Sequence, residues 1–103
     1  MMYMEEYSVK AHRSVQIDVL TIIGHLNTLP ADVAERLYDS IVDNIKMLSR
    51  SPERFSQTKD TQLRLRGYRT MQLNDYTLFY VIKGKTIEMR RLLFSRRQYE
   101  NLL

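Results

Sequence analysis

The hydrophobic positions change period three times along the chain, and each change marks an element. Tyr7, Val9 and Ala11 alternate with polar residues, which predicts a short strand over Tyr7–His12. Val15, Val19, Ile22, Ile23 and Leu26 then recur at helical spacing and predict a first helix over residues 14–27. Ser14 is its expected N-cap, because a serine oxygen there accepts an orphan backbone N–H. Pro30 suits the start of a second helix, where its missing N–H does no harm. Ala34, Leu37, Tyr38, Ile41, Ile45 and Leu48 form its apolar stripe over residues 31–49, and Ser51-Pro52 stops it. So short a join predicts an antiparallel helical hairpin.

Residues 53–66 are polar and irregular, with a short strand expected around Gln62–Leu65. From Tyr68 the period becomes two. Tyr68–Leu73, Tyr76–Ile82 and Thr86–Phe94 read as strands, joined by two-residue turns at Asn74-Asp75 and Lys83-Gly84. The predicted fold is α+β: an N-terminal strand, then a helical hairpin packed on one face of a twisted antiparallel sheet, then a short C-terminal tail. One domain is expected over residues 1–103.

The turns sort the two faces of the sheet. With Lys83-Gly84 as the loop, Ile82 opposes Lys85, Tyr80 opposes Ile87, Leu78 opposes Met89 and Tyr76 opposes Arg91. Leu78, Tyr80, Ile82, Ile87, Met89, Met71 and Leu73 then lie under the helices. Tyr68, Thr70, Gln72, Thr77, Phe79, Glu88 and Arg90 form the other face, expected to be mixed polar and open to solvent. A one-residue slip in either loop would exchange these faces for that strand.

Charge sharpens this picture. The net charge is +4, but residues 1–50 hold five basic against seven acidic groups, and residues 51–103 hold eleven against five. A basic half suits an anionic partner. Arg64, Arg66, Arg69, Arg90 and Arg96 surround the open sheet face, with Tyr68 and Tyr99 among them, and are the candidate target- or RNA-binding residues. The chain has no cysteine, which excludes a disulfide scaffold, a thiolate metal site and cysteine catalysis, and fits the cytosol. His12 and His25 have no carboxylate at ligand spacing and only three glycines are present, so neither a metal, a cofactor nor a phosphate loop is expected. No targeting or membrane segment is expected: Glu5 and Glu6 interrupt the start, and the run Val19–Ile23 is far short of the roughly 20 residues a span needs.

Several motifs carry a resemblance. Asp18-Val19-x-x-Ile22-x-x-His25-Leu26 is similar to the first helix of the RelE/ParE superfamily of type II toxin–antitoxin toxins. Ile45-x-x-Leu48-x-x-x-Pro52-x-Arg54 resembles the end of its second helix. Gly67-Tyr68-Arg69, Asp75-Tyr76-Thr77-Leu78-Phe79-Tyr80 and Arg96-Arg97-x-Tyr99-Glu100-Asn101-Leu102-Leu103 follow in the superfamily's order and spacing.

The resemblance implies a cytoplasmic growth inhibitor, plasmid-stabilising in type and neutralised by a cognate antitoxin with an acidic, amphipathic segment. It implies either of two targets. ParE-like toxins poison DNA gyrase. RelE-like toxins enter the ribosome and cleave mRNA without a metal, using basic residues on the open sheet face and a basic residue plus a tyrosine near the C-terminus. Arg97 and Tyr99 match that C-terminal catalytic pair. The middle-strand positions that would carry the sheet cations are Thr70, Gln72 and Thr77, none of them cationic. Pro52-Glu53-Arg54-Phe55 and the tail resemble the ParE side, so the expected target is gyrase; the alternatives are the mRNA endoribonuclease and a non-toxic member that acts only in complex with its antitoxin.

Overall fold

The computed structural model describes residues 7–52 and 60–95; Arg96, Arg97 and Tyr99 lie outside the described residues. The elements are β1 (Ser8–Ala11), α1 (Arg13–Leu26), α2 (Ala31–Arg50), α3 (Thr61–Leu65), β2 (Arg69–Leu73), β3 (Tyr76–Lys83) and β4 (Thr86–Phe94). They form the expected α+β arrangement. The sheet order is β1-β4-β3-β2, with β2, β3 and β4 antiparallel and β1 added parallel to β4, Val9 opposite Ile87. Backbone bonds tie β1 down at both ends: Tyr7 N–H donates to Ser49 O at 2.8 Å and His12 N–H to Met89 O at 3.0 Å.

Alternation and helical spacing meet in one core. Ile22 and Leu26 of α1 and Ile41 and Leu48 of α2 pack on Met71, Leu73, Tyr76, Leu78, Tyr80, Ile87 and Leu92. Leu48 and Leu78 are wholly buried, so truncating either to alanine should cost about 2–5 kcal/mol. The Tyr80 hydroxyl donates to Pro52 O at 2.6 Å, and burial pushes its pKa up to about 12 against a smaller opposing effect of Arg69.

Four local expectations are corrected. Ser14 does not cap α1: His12 holds the N-cap without a side-chain bond, and Ser14 Oγ instead donates to Arg90 O at 3.0 Å. Val19 and Ile23 do not face the sheet. Val15, Asp18, Ile22 and Leu26 do. Gln62–Leu65 is helical, because the Asp60 carboxylate accepts the Leu63 N–H at 2.9 Å and caps α3. The second hairpin turns on Gly84-Lys85, since Lys83 pairs with Thr86, and Gly84 takes the positive φ of +59° this needs.

That last change moves the pairing by two residues, so the side-chain parity survives and Tyr80 opposes Met89. Beyond it the register jumps at Phe79/Tyr80. Phe79 opposes Arg91, and Arg90 is the extra residue of a bulge. The second sheet face is not simply open to solvent. Leu63 of α3 packs there on Tyr68, Phe79, Val81 and Leu93, a second, smaller core of five buried residues.

Candidate functional site

The second face has two ends of different chemistry, separated by this small core. At the β3–β4 hairpin end, Arg66, Gly67, Tyr68, Val81, Ile82, Lys83 and Arg90 line a depression of about 250 Å³. The Arg66 guanidinium stands over the Tyr68 ring, 5.3 Å from its centroid. Arg90 Nη2 donates to Glu88 Oε1 at 2.9 Å, and Lys83 Nζ and His12 Nε2 lie 3.6 Å and 3.4 Å from the same oxygen. Partial burial alone would raise the pKa of Glu88, but the His12 hydrogen bond and the two cations outweigh it and hold the carboxyl below its ordinary value. Among the described residues, Arg90 Nε is buried without a hydrogen-bond acceptor. One carboxylate therefore meets two cations, Lys83 and Arg90, at this end, and with Arg66 beside them the end stays net positive.

At the other end the side chains that bond to one another are neutral, with Asp75 bordering the same depression. Gln72 Nε2 donates to Ser95 Oγ at 2.6 Å and to Asn74 O at 2.7 Å. The Thr77 hydroxyl donates to Gln72 Oε1 at 3.1 Å and lies 2.9 Å from Ser95 Oγ. Each polar group is already satisfied by its neighbours. Asn74, at φ +55°, makes the β2–β3 turn that brings Gln72 and Thr77 face to face.

A buried ion pair fixes the strand that carries both ends. Asp18 is 6% exposed and accepts from Arg91 Nε and Nη2, both at 2.8 Å, and from Leu92 N–H at 2.9 Å. The hydrogen bonds to Asp18 raise the Arg91 pKa further, so the guanidinium stays charged. The bulge at Arg90 sends Arg91 toward α1 while Arg90 meets Glu88.

Of the sequence candidates, Arg66 and Arg90 come together around the hairpin-end depression. Arg64 is exposed on α3. Arg69 shares its side of β2 with Met71 and Leu73 and lies opposite Tyr80, on the helix-covered side. Arg96, Arg97 and Tyr99 fall outside the described residues. Two features were not anticipated. Lys83 borders the depression, although its place beside a glycine marked it as a turn residue. Asp18 pairs with Arg91, and its only sequence signal is one carboxylate at a core-facing helical position.

The family model for the ParE toxin of the type II toxin–antitoxin system parDE matches residues 9–99. The chain belongs to this ParE toxin family. Solved structures share the fold. A chromosomal ParDE toxin–antitoxin system from P. aeruginosa superimposes with TM-score 0.69 at 23% identity, covering 86% of this chain and 96% of that one. An archaeal RelE–RelB complex from Pyrococcus horikoshii OT3 gives 0.57 at 22% identity, covering 91% and 100%. The RelBE2 toxin–antitoxin complex of Mycobacterium tuberculosis gives 0.55 at 20% identity, covering 87% and 99%. No curated protein matches the chain significantly. At these identities the structures carry the fold alone, and the split between a neutral and a basic end is read from this ParE-family chain's own residues. Among the described residues, no helix is long and apolar enough to cross a membrane.

Proposed function

We propose that this ParE-family toxin arrests growth by binding a protein target, DNA gyrase, and does not cleave mRNA. The observation that carries the reading is the Gln72–Thr77–Ser95 network. A ribonuclease of this fold class needs cations on the open sheet face, at the positions that Thr70, Gln72 and Thr77 hold here, to stabilise charge developing on the scissile phosphate. A closed set of neutral amide and hydroxyl groups supplies none. The buried tyrosine of the core, Tyr80, is no substitute, because its proton is committed to Pro52 O and its pKa stands near 12. Arg66, Lys83 and Arg90 gather positive charge around one shallow depression, which suits docking.

An antitoxin with an acidic, amphipathic segment is the proposed neutralising partner. Eleven basic against five acidic groups in residues 51–103 favour it, and the complexes formed by structural relatives agree in kind. The whole chain, residues 1–103, acts as one domain in this reading. Inducing the chain in cells without its antitoxin tests the target. Loss of supercoiling on a reporter plasmid, with full-length mRNA and continuing translation, is expected. Halted translation with cut mRNA would reject gyrase and return Arg97 and Tyr99 to the catalytic role. Normal growth would reject toxicity.

A further inference from the structure

β4 carries two arginine–carboxylate pairs, one closed and one loose. Arg91 meets Asp18 fork to fork, through Nε and Nη2, both at 2.8 Å. Arg90 gives Glu88 one nitrogen, Nη2 at 2.9 Å, and among the described residues its Nε finds no acceptor. Lys83 Nζ and His12 Nε2 approach the same Glu88 oxygen at 3.6 Å and 3.4 Å, longer than a strong hydrogen bond. The Glu88 side chain is 19% exposed against 8% for Asp18. A contact held by one nitrogen and two long approaches exchanges more readily for another carboxylate than a buried fork does.

Glu88 stands in a row that crosses the sheet. Its register partners are Lys10 of β1 on one side and Val81 of β3 on the other. Lys10 is exposed, and Lys83 and Arg66 border the depression that Val81 lines. The row suits an acidic peptide better than a nucleic acid. Tyr68 is 3% exposed beneath the Arg66 guanidinium, so its ring is not open to a stacking base. Val81 and Ile82 add apolar lining between the cations, which matches apolar residues interspersed with carboxylates.

We propose that Glu88 is a built-in competitor, which holds Lys83 and Arg90 in the free chain and yields them to a carboxylate of an acidic peptide; this rests on the acidic-partner reading above. Glu88 then stabilises the free chain and opposes the complex, so removing its charge should move stability and affinity in opposite directions. Fluorescence anisotropy of fluorescein-labelled hexaglutamate, titrated with the full-length chain at low ionic strength, tests it. Glu88→Gln should lower the dissociation constant about threefold or more while lowering the melting temperature slightly. Glu88→Ala should act with the same sign if the glutamine variant folds poorly. Glu35→Gln, on the exposed side of α2, removes the same charge and should change the affinity clearly less. Lys83→Met should weaken binding and shrink the gain from Glu88→Gln, as coupled neighbours do. Equal gains from Glu88→Gln and Glu35→Gln, or a gain undiminished in Lys83→Met, overturn the proposal. An oligouridylate that gains as much from Glu88→Gln overturns the peptide as occupant. Hexaglutamate binding that Glu88→Gln leaves unchanged defeats this inference alone, whereas no binding to either chain defeats the acidic-partner reading of the depression as well.

Discussion

The two ends of the second sheet face share strands but differ in what they leave unsatisfied. Around Gln72, Thr77 and Ser95 the amide and hydroxyl donors find acceptors among their own neighbours, and the one charged group bordering them among the described residues is the Asp75 carboxylate. Around Glu88, two cations and the His12 ring converge on one carboxylate oxygen, and among the described residues one arginine nitrogen stays without an acceptor. The first end is held by its own neutral hydrogen bonds, whereas the second carries Arg66, Lys83 and Arg90 around its depression. Bond-breaking at a phosphodiester requires cations, and among the described residues the first end has none, whereas recognition of an acidic partner requires only an exposed positive rim. The small core of Leu63, Tyr68, Phe79, Val81 and Leu93 keeps the two apart.

Removing the support common to both ends should have the largest effect. Asp18→Ala removes the carboxylate that accepts from the partly buried Arg91 guanidinium and from Leu92 N–H, and should cost about 3–5 kcal/mol of stability, measured by denaturant unfolding. If it costs less than about 1 kcal/mol, the bulge is not held from α1. Separating the ends comes next. Lys83→Glu with Arg66→Glu should slow antitoxin association about tenfold and flatten its salt dependence, while Gln72→Ala with Thr77→Ala leaves both unchanged in stopped-flow binding. Equal effects from the two pairs would erase the distinction.

Smaller effects follow from titration. Tyr80→Phe orphans Pro52 O and should cost about 1 kcal/mol near neutral pH. The raised Tyr80 pKa stabilises the fold fully below the ordinary value of 10 and loses that contribution as pH rises through about 12, so wild-type stability should fall across this window more steeply than that of Tyr80→Phe. Glu88 runs the opposite way. Its lowered pKa adds stability above the ordinary 4.5 that is lost as pH falls through the folded value, so Glu88→Gln should be slightly less stable at neutral pH and less sensitive to acid, in thermal melts across the acid range.

Most of the fold was legible because its periods are long and clean. The α2 stripe and the meander alternation carry many residues each, and a turn displaced by one position left the face assignment standing because the pairing moved by two. α1 was legible as a helix but not in its orientation. Apolar residues surround it, so periodicity could not tell Val19 and Ile23 from the buried Asp18. α3 is too short for a period, and its signal was one capping carboxylate, Asp60. The bulge at Arg90 left no mark in the alternation, so the partnership of Arg91 with Asp18, separated by seventy-three positions, could not be read. At the site, the absence of cations at Thr70, Gln72 and Thr77 was readable residue by residue. That Gln72 and Thr77 close into a network with Ser95 depends on side-chain geometry that only the folded strands set.

Purified chain added in parallel to DNA gyrase supercoiling and to a translating ribosome system with end-mapped mRNA tests the central claim most directly. The account predicts inhibited supercoiling and mRNA of full length. Ribosome-dependent cleavage with gyrase unaffected would contradict it.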